Sequence, residues 1–241
     1  MSVAGRLVLI AGATSASGLA AARELSSAGA RVVAVARDTA KLDELADAVA
    51  GVRTEACDLT DETAVADLAR RVHDTDGAVD GVLHLVGGWR GGGGLAGQSE
   101  TDFRFLEASL TALRHVSRAF DADLRSSEAG RLAVVSSTAV ARPLAGGANY
   151  AAVKAATEAW ARAVAQGFAK DARDRGAPLS AASVTFRVAS LAGLENELAQ
   201  RFTTLWSTPT AQVNDTIIEI TPPAPRSDPA PGRAPQEIGL P

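Results

Sequence analysis

Short apolar segments alternate with longer amphipathic segments along most of the chain. The apolar runs, such as RVVAVA at Arg31–Ala36, are rich in β-branched residues and too short for ordinary helices, which predicts buried strands. Strands are predicted at residues 6–11, 31–36, 52–56, 82–86, 131–136, 183–189 and 216–220, and helices at 18–29, 39–49, 61–73, 101–124, 150–168 and 195–206. This alternation predicts an α/β fold: a doubly wound parallel β-sheet with helices on both faces, forming three layers (α/β/α) in a single domain.

Two regions fall outside the alternation. Residues 87–97 are dense in glycine, which predicts a mobile loop. From Pro222 onward, prolines recur every few residues with few large apolar side chains, so this segment cannot bury enough surface to order itself. We therefore expect a folded domain over residues 1–221 and an extended or disordered tail over residues 222–241.

The composition argues against several classes of binding partner. The net charge is −4 and no stretch is strongly basic, so nothing favours binding of nucleic acid. No apolar run approaches the roughly 20 residues that span a bilayer, so we expect no membrane partner. Cys57 is the only cysteine, which excludes an intramolecular disulfide and favours a reducing, cytoplasmic location. The three histidines lack the spacing of metal ligands, and no metal site is predicted.

A glycine-punctuated turn links the first strand to the first helix. Gly12 and Gly18 bracket it, and glycine lets the backbone approach a pyrophosphate closely. The helix N-terminus offers free N–H groups and a partial positive charge, and Thr14, Ser15 and Ser17 add hydroxyl donors. The turn predicts a dinucleotide site, although a tight turn without a ligand has the same local sequence.

The end of the second strand bears on the choice of dinucleotide. A carboxylate at this place would bind the adenosine ribose and repel a 2′-phosphate, whereas a cation would accept the phosphate. Arg37 follows the strand, and its planar fork suits a phosphate, so NADP(H) is favoured over NAD(H). Two alternatives remain open: Arg37 as a solvated loop residue, and Asp38 reaching the ribose.

Tyr150 and Lys154 carry the candidate chemistry. The two side chains lie one turn apart on one face of a predicted helix. An ammonium beside a phenol favours the phenolate and brings tyrosine within range of proton transfer near neutral pH. Together with the preceding Ser137 and the dinucleotide turn, the pair predicts carbonyl–alcohol redox chemistry.

These residues together resemble the classical short-chain dehydrogenases/reductases over roughly residues 5–221. The turn from Gly12 to Gly18 is similar to the cofactor motif of that family, and Asp58-Leu59 to its adenine-binding pair. Gly87 falls where its NNAG motif ends. Ser137, Tyr150 and Lys154 fall at its catalytic serine, tyrosine and lysine, with the expected spacing.

The resemblance implies a Rossmann-type fold and a division of roles. Lys154 would bind the nicotinamide ribose and lower the pKa of Tyr150, which would exchange a proton with the substrate oxygen. Ser137 would hydrogen-bond that oxygen, and the nicotinamide would supply hydride. The expected partner is a small carbonyl or alcohol substrate.

The chain departs from the family pattern at several places. Ala16 replaces the middle glycine of the cofactor motif, and Ser109 aligns with a helix asparagine that anchors a proton-relay water. Ala189-Ser190 stands near the usual Pro-Gly, and the substrate-covering segment beyond it is shortened. The site is therefore expected to be open to a bulky or tethered substrate, covered by the loop with Trp89, or weakened.

Three functional hypotheses remain at this stage. The leading one is an NADPH-dependent reductase of ketones or aldehydes, working in either direction. A non-redox isomerase, dehydratase or cyclase on the same scaffold is the second, and a non-catalytic dinucleotide-binding protein is the third. Intact Ser137, Tyr150 and Lys154 argue against the third.

The helix predicted at 150–168 bears on assembly. It carries alanines around most of its circumference, so one side can cover the sheet while another approaches a partner closely. Family members commonly associate through this helix and the preceding one. We expect a homodimer or homotetramer built on helices 101–124 and 150–168.

Overall fold

Seven parallel strands form one sheet in the order β3-β2-β1-β4-β5-β6-β7. The strands are β1 (Leu7–Ala11), β2 (Arg31–Ala36), β3 (Arg53–Ala56), β4 (Gly81–His84), β5 (Arg131–Ser137), β6 (Ala182–Val188) and β7 (Thr216–Ile220). The computed structural model describes residues 2–221, so the tail predicted at 222–241 lies outside the described residues. The predicted doubly wound parallel sheet is confirmed.

Helices cover both faces of this sheet. They are α1 (Ala16–Ser27), α2 (Thr39–Ala48), α3 (Glu62–Thr75), α4 (Glu100–Ala119), α5 (Asp121–Ser126), α6 (Ala148–Asp174), α7 (Glu195–Thr204) and α8 (Thr210–Val213). Two 3₁₀ turns, Thr138–Val140 and Ala145–Gly147, lie between β5 and α6. None of the helices within residues 2–221 is long and apolar enough to cross a membrane.

Each face of the sheet has its own apolar core, because successive strand residues point to opposite faces. In β1, Val8 and Ile10 pack with α1, α2 and α7, whereas Leu7 and Leu9 pack with helices α3 to α6. Every residue of β1 is buried, as expected for a strand covered on both sides. The continuous apolar runs in the sequence therefore reflect burial on two faces.

The strand order reverses beside β1. From β1 the chain moves to β2 and β3 on one side, then crosses to β4 on the other. In an open α/β sheet, ligands bind in the crevice at the carboxyl ends of the strands at such a switch point. The turn after β1 and the segment after β4 meet there, because Leu85 N–H donates to Ala11 O at 2.7 Å.

The single long helix predicted at 101–124 is wrong, because the chain forms α4 and α5 instead. Phe120 leaves the helical conformation (φ −108°, ψ 11°) and is fully buried in the core. The break also directs Asp123 inward, where its carboxylate accepts the Val79 N–H at 2.9 Å. Burial of an aromatic side chain outweighs the local preference for a continuous helix.

The segment between β6 and α7 is short, since residues 189–194 alone join them. This agrees with the prediction of a reduced substrate-covering segment. The carboxyl end of β6 therefore opens to solvent on one side of the sheet.

Candidate active site

The turn after β1 requires glycine at two positions. Gly12 has φ +86°, and a Cβ there would lie 2.9 Å from the Val86 nitrogen. A Cβ on Gly18 would lie 2.1 Å from the Ala13 oxygen, so helix α1 can start this close to β1 only with glycine. The Ser15 hydroxyl accepts the Gly18 N–H at 3.1 Å and caps α1. The exposed helix N-terminus is suited to a phosphate.

A groove of about 380 Å³ runs from this turn along the ends of β1, β2 and β4. Most of the residues predicted to bind a cofactor line it: Gly12, Thr14, Ser15, Arg37, Asp58, Leu59 and Gly87. Ser17 lines an adjoining cavity of about 230 Å³. Gly18 lines neither and acts through backbone packing. Ala16 faces another small cavity beside α2, so its methyl group lies outside the groove.

Arg37 and Asp38 have different surroundings. Asp38 caps α2 by accepting the Lys41 N–H at 3.2 Å, and its other carboxylate oxygen lies 3.9 Å from the Lys41 ammonium. Arg37 lines the groove and makes no hydrogen bond or ion pair within residues 2–221. The cation is therefore available to a ligand, whereas the carboxylate is engaged by its own helix.

The segment after β3 forms the far wall of the groove. Asp58 accepts hydrogen bonds from the Thr60 N–H at 3.0 Å and the Thr60 hydroxyl at 2.7 Å, which hold the pKa of its carboxyl below the usual value. Burial raises the pKa of the neighbouring Cys57 thiol to about 11, so the thiol stays protonated at neutral pH. Phe105, on α4, also lines this wall and was not predicted from the sequence.

Tyr150 lies where two cavities meet. The cavity of about 230 Å³ is lined by Tyr150, Lys154 and Gly87, and it continues toward the turn after β1. A wider cavity of about 840 Å³ is lined by Tyr150 and Ser137. Tyr150 thus separates a space continuous with the nucleotide groove from a larger open space. Ser137, at the end of β5, accepts the Ala139 N–H at 3.2 Å.

Lys154 is a buried cation beside Tyr150. Its Nζ donates to Val135 O at 2.8 Å and lies 5.8 Å from the centroid of the Tyr150 ring. Burial lowers the pKa of Lys154 to about 8. Within residues 2–221 its ammonium makes no other hydrogen bond, which leaves two N–H donors for a ligand.

A buried ion pair holds α6 against β5 and β6 one turn beyond Lys154. Arg187 donates to both oxygens of Glu158, at 3.1 and 2.8 Å, and the Ser136 hydroxyl donates to the same carboxylate at 2.7 Å. Ser136 directly precedes Ser137, so this contact fixes the helix with Tyr150 relative to the strand with Ser137. The sequence held one signal for it: Glu158 repeats the four-residue spacing of Tyr150 and Lys154.

Ser109, which aligns with the asparagine of the family, makes its own contacts with the protein. The Ser109 hydroxyl donates to Leu106 O at 2.7 Å, within its own helix. His84 Nε2 contacts Ser109 O at 3.1 Å, and burial lowers the pKa of this imidazole to about 4, so it is neutral. A neutral imidazole that meets a carbonyl must donate from Nε2. Both polar groups of Ser109 therefore have protein partners.

The glycine-rich loop is tied to the segment before α6. Gly92 N–H donates to Gly146 O at 2.7 Å, and the Gln98 amide donates to Gly92 O at 3.1 Å and to Gly146 O at 3.0 Å. These contacts place Trp89 in the wall of the wide cavity, 61% exposed. Trp89 therefore lies beside the space that Tyr150 and Ser137 line.

Comparisons with known proteins agree on the family. The model of the short chain dehydrogenase family matches residues 6–172. An uncharacterized oxidoreductase of Mycobacterium bovis is 36% identical over 92 residues, which are 35% of this chain and 27% of that protein. The chain thus matches about a quarter of that relative. The 3-oxoacyl-acyl-carrier-protein reductase of Haemophilus influenzae is 26% identical over 164 residues, 67% of each chain.

Solved structures are similar to the whole domain. A short chain oxidoreductase of Pseudomonas aeruginosa with an atypical catalytic center gives a TM-score of 0.80 at 18% identity, covering 95% of this chain and 100% of the other. The L-sorbose reductase of Gluconobacter frateurii, complexed with NADPH and L-sorbose, gives 0.77 at 19% identity, covering 91% and 96%. At such identities the likeness concerns the fold.

Proposed function

Because the chain belongs to the short-chain dehydrogenase family, we propose that it is an NADPH-dependent oxidoreductase that reduces a ketone or aldehyde to an alcohol, or catalyses the reverse reaction. One observation carries the proposal: Tyr150 stands between the cavity that continues into the nucleotide groove and a wide open cavity. A group that exchanges a proton with a substrate oxygen must lie at this boundary.

The side chains around Tyr150 fit the proposed roles. Lys154 holds two N–H donors toward the cavity that continues into the nucleotide groove, as needed to bind ribose hydroxyls. Tyr150 donates a proton to the carbonyl oxygen during reduction and accepts one during oxidation. Ser137 lines the wide cavity together with Tyr150 and orients that oxygen by a hydrogen bond. A bound nicotinamide supplies or accepts the hydride.

The groove also fits a phosphorylated adenosine ribose. Arg37 makes no hydrogen bond or ion pair within residues 2–221, and the adjacent Asp38 is held by its own helix. Asp58, the carboxylate that interacts with Arg37 across the groove, is itself hydrogen-bonded by Thr60. A cation with free donors favours a 2′-phosphate. This arrangement supports NADP(H) as the preferred cofactor.

A screen of varied ketones and aldehydes with NADPH tests the function. Consumption of NADPH that depends on both the carbonyl compound and the protein is expected, at a rate that NADH does not match. Tyr150→Phe serves as the blank. Complete absence of hydride transfer in both directions, with NADPH bound, would contradict the proposal.

The outer face of α6 is suited to contact with a second copy of the chain. Ala152, Ala155, Ala159 and Ala163 are exposed along one side of that helix. Small side chains at this spacing permit close approach of a second helix, so we propose a homodimer or homotetramer through α4 and α6. Light scattering at micromolar concentration checks it, since a stable 24.6 kDa monomer would contradict the proposal. The single buried thiol of Cys57 accords with a cytoplasmic location.

A further inference from the structure

The wide cavity beside Tyr150 has an unusual distribution of charge. Three segments surround it: residues 87–98, 137–149 and 188–193. Arg90 and Arg142 are the only charged residues in these segments, which contain no aspartate or glutamate. The whole chain carries a net charge of −4, so this region is positive on a negative protein. Such a local field attracts anions selectively to the cavity.

The two arginines differ in their availability. The Arg90 guanidinium lies over the Phe105 ring, 4.0 Å from its centroid, and donates to Trp89 O at 2.9 Å. Arg142 lines the cavity, five positions beyond Ser137, and makes no hydrogen bond or ion pair within residues 2–221. Some exposed arginines on the outer helices, such as Arg104 and Arg201, pair with carboxylates of their own helix, whereas others, such as Arg23, do not. Arg142 has no such carboxylate near it in the sequence.

Three large apolar side chains also line the cavity. Trp89 and Leu144 are 61% and 76% exposed, which is high for large apolar side chains, and Leu191 lines the same cavity. Exposed apolar groups that cluster around a concave surface mark a binding site. A volume of about 840 Å³ admits a molecule considerably larger than a simple ketone.

We propose that the substrate is an amphipathic anion: a carbonyl compound whose apolar body lies against Trp89, Leu144 and Leu191 and whose carboxylate or phosphate pairs with Arg142. This inference rests on the proposed function, because it places the carbonyl at Ser137 and Tyr150. The guanidinium fork binds either oxyanion, so the shared chemistry is an anionic group separated from the carbonyl by an apolar spacer.

Three matched probes test the substrate class. Benzoylpropionate, its methyl ester and the phosphonate that replaces its carboxylate share one ketone and one apolar body. With NADPH present, the acid is expected to show a kcat/KM and an affinity about fivefold above those of the ester, as for an exposed charge pair. The phosphonate arm shows which oxyanion binds better. Binding is measured by calorimetry on the protein–NADPH complex, so a poor rate does not obscure the preference.

Variants at Arg142 connect the preference to this side chain. Arg142→Gln should remove the advantage of the acid over the ester, Arg142→Lys should retain part of it, and Arg142→Glu should reverse it. Arg23→Gln is the matched control, because Arg23 is exposed on α1 and lies outside the cavity. It should leave the acid-to-ester ratio at the wild-type value.

The outcomes separate the two proposals. If the ester is reduced as well as the acid, or the ratio is unchanged in Arg142→Gln, the anion site is refuted while the reductase function stands. If the acid binds preferentially through Arg142 but neither probe reacts in either direction, the anion site stands, and the screen of varied ketones and aldehydes decides the function separately. Equal binding of the acid and the ester overturns the inference whatever the rates.

Discussion

A buried cation contacts strand β5 near each of its ends, Arg131 from the strand itself and Lys154 from α6. The two cations differ in how many of their N–H donors form hydrogen bonds. Arg131 starts the strand and donates to Leu205 O, Gly130 O, Ser180 O and the Thr210 hydroxyl, at 2.8 to 3.2 Å. Lys154 contacts Val135 O near the other end and makes no second hydrogen bond within residues 2–221. Burial lowers both pKa values, to about 10 for Arg131 and about 8 for Lys154.

The comparison separates a structural cation from one that is available for binding. Arg131 links β5 to the ends of α7 and α8 and leaves little donor capacity for a ligand. Lys154 is also buried but keeps free donors beside a cavity, which is unfavourable for folding and useful for binding. Donor use, more than burial, distinguishes the two ends of the strand.

The largest expected effect comes from removing Tyr150, the proposed proton donor beside Lys154. Tyr150→Phe should lower kcat by about 10²–10⁴, because a positioned general acid contributes that much. Nucleotide affinity should stay close to wild type, since Lys154 retains its donors. Steady-state kinetics and NADPH titration measure the two quantities. Wild-type-like turnover in a folded variant would contradict the assignment.

Removing Arg131, the cation whose donors bind protein oxygens, should lower the stability of the protein instead of its activity. Arg131→Met leaves Leu205 O and Ser180 O buried without this donor, which costs about 1–3 kcal/mol per group. The free energy of unfolding, from urea titration, should therefore fall by roughly 2–5 kcal/mol.

Catalysis provides the second readout for Arg131. The kcat of the folded Arg131→Met protein should remain near wild type, because this side chain lies at the far end of β5. Arg23→Met, at an exposed position, is the control for stability. A large loss of kcat without loss of stability would remove the distinction between the two ends.

The pH dependence of stability provides a sharper test of Lys154. Its pKa falls from 10.5 in the unfolded chain to about 8 in the native state. Between these values the unfolded state binds more protons, so the free energy of unfolding should rise with pH from about 8 to about 10.5. Below about pH 8 the full cost of burying the ammonium is present.

Lys154→Met isolates this contribution. The stability of wild type relative to the variant should increase through the same pH window, measured by urea titration without nucleotide. Contributions from Arg131 and Cys57 are common to both proteins and cancel. A stability difference that does not change with pH would show that the pKa of Lys154 is not lowered in the native state.

The smallest expected effect concerns the nucleotide. Arg37→Ala should weaken NADPH binding about tenfold, as expected for loss of a partly exposed arginine–phosphate contact, and should change NADH binding little. Titration of both nucleotides against both proteins measures the change, with Arg23→Ala as control. Equal affinity of the wild-type protein for NADPH and NADH would refute the preference.

Local sequence patterns were sufficient to predict the strands of apolar and β-branched residues. Arg31–Ala36 and Thr216–Ile220 form strands as predicted, because apolar and β-branched residues leave few alternatives. The break at Phe120 was not predicted, since a buried aromatic side chain has no local signal. The glycine turn was recognised from spacing, but its residues Ser17 and Gly18 lie outside the groove that Gly12, Thr14 and Ser15 line.

The sequence alone determined the order of strands and helices, the family resemblance and the identities of Ser137, Tyr150 and Lys154, because these depend on residue type and spacing. Only the tertiary structure decided which polar groups have partners. It paired Asp38 with its own helix, enclosed Arg131 among carbonyls, joined Glu158 to Arg187, and left Arg37, Lys154 and Arg142 with donors facing cavities. Apart from the cap that Asp38 forms within its own helix, these partnerships join residues distant in the chain, so no local pattern encodes them.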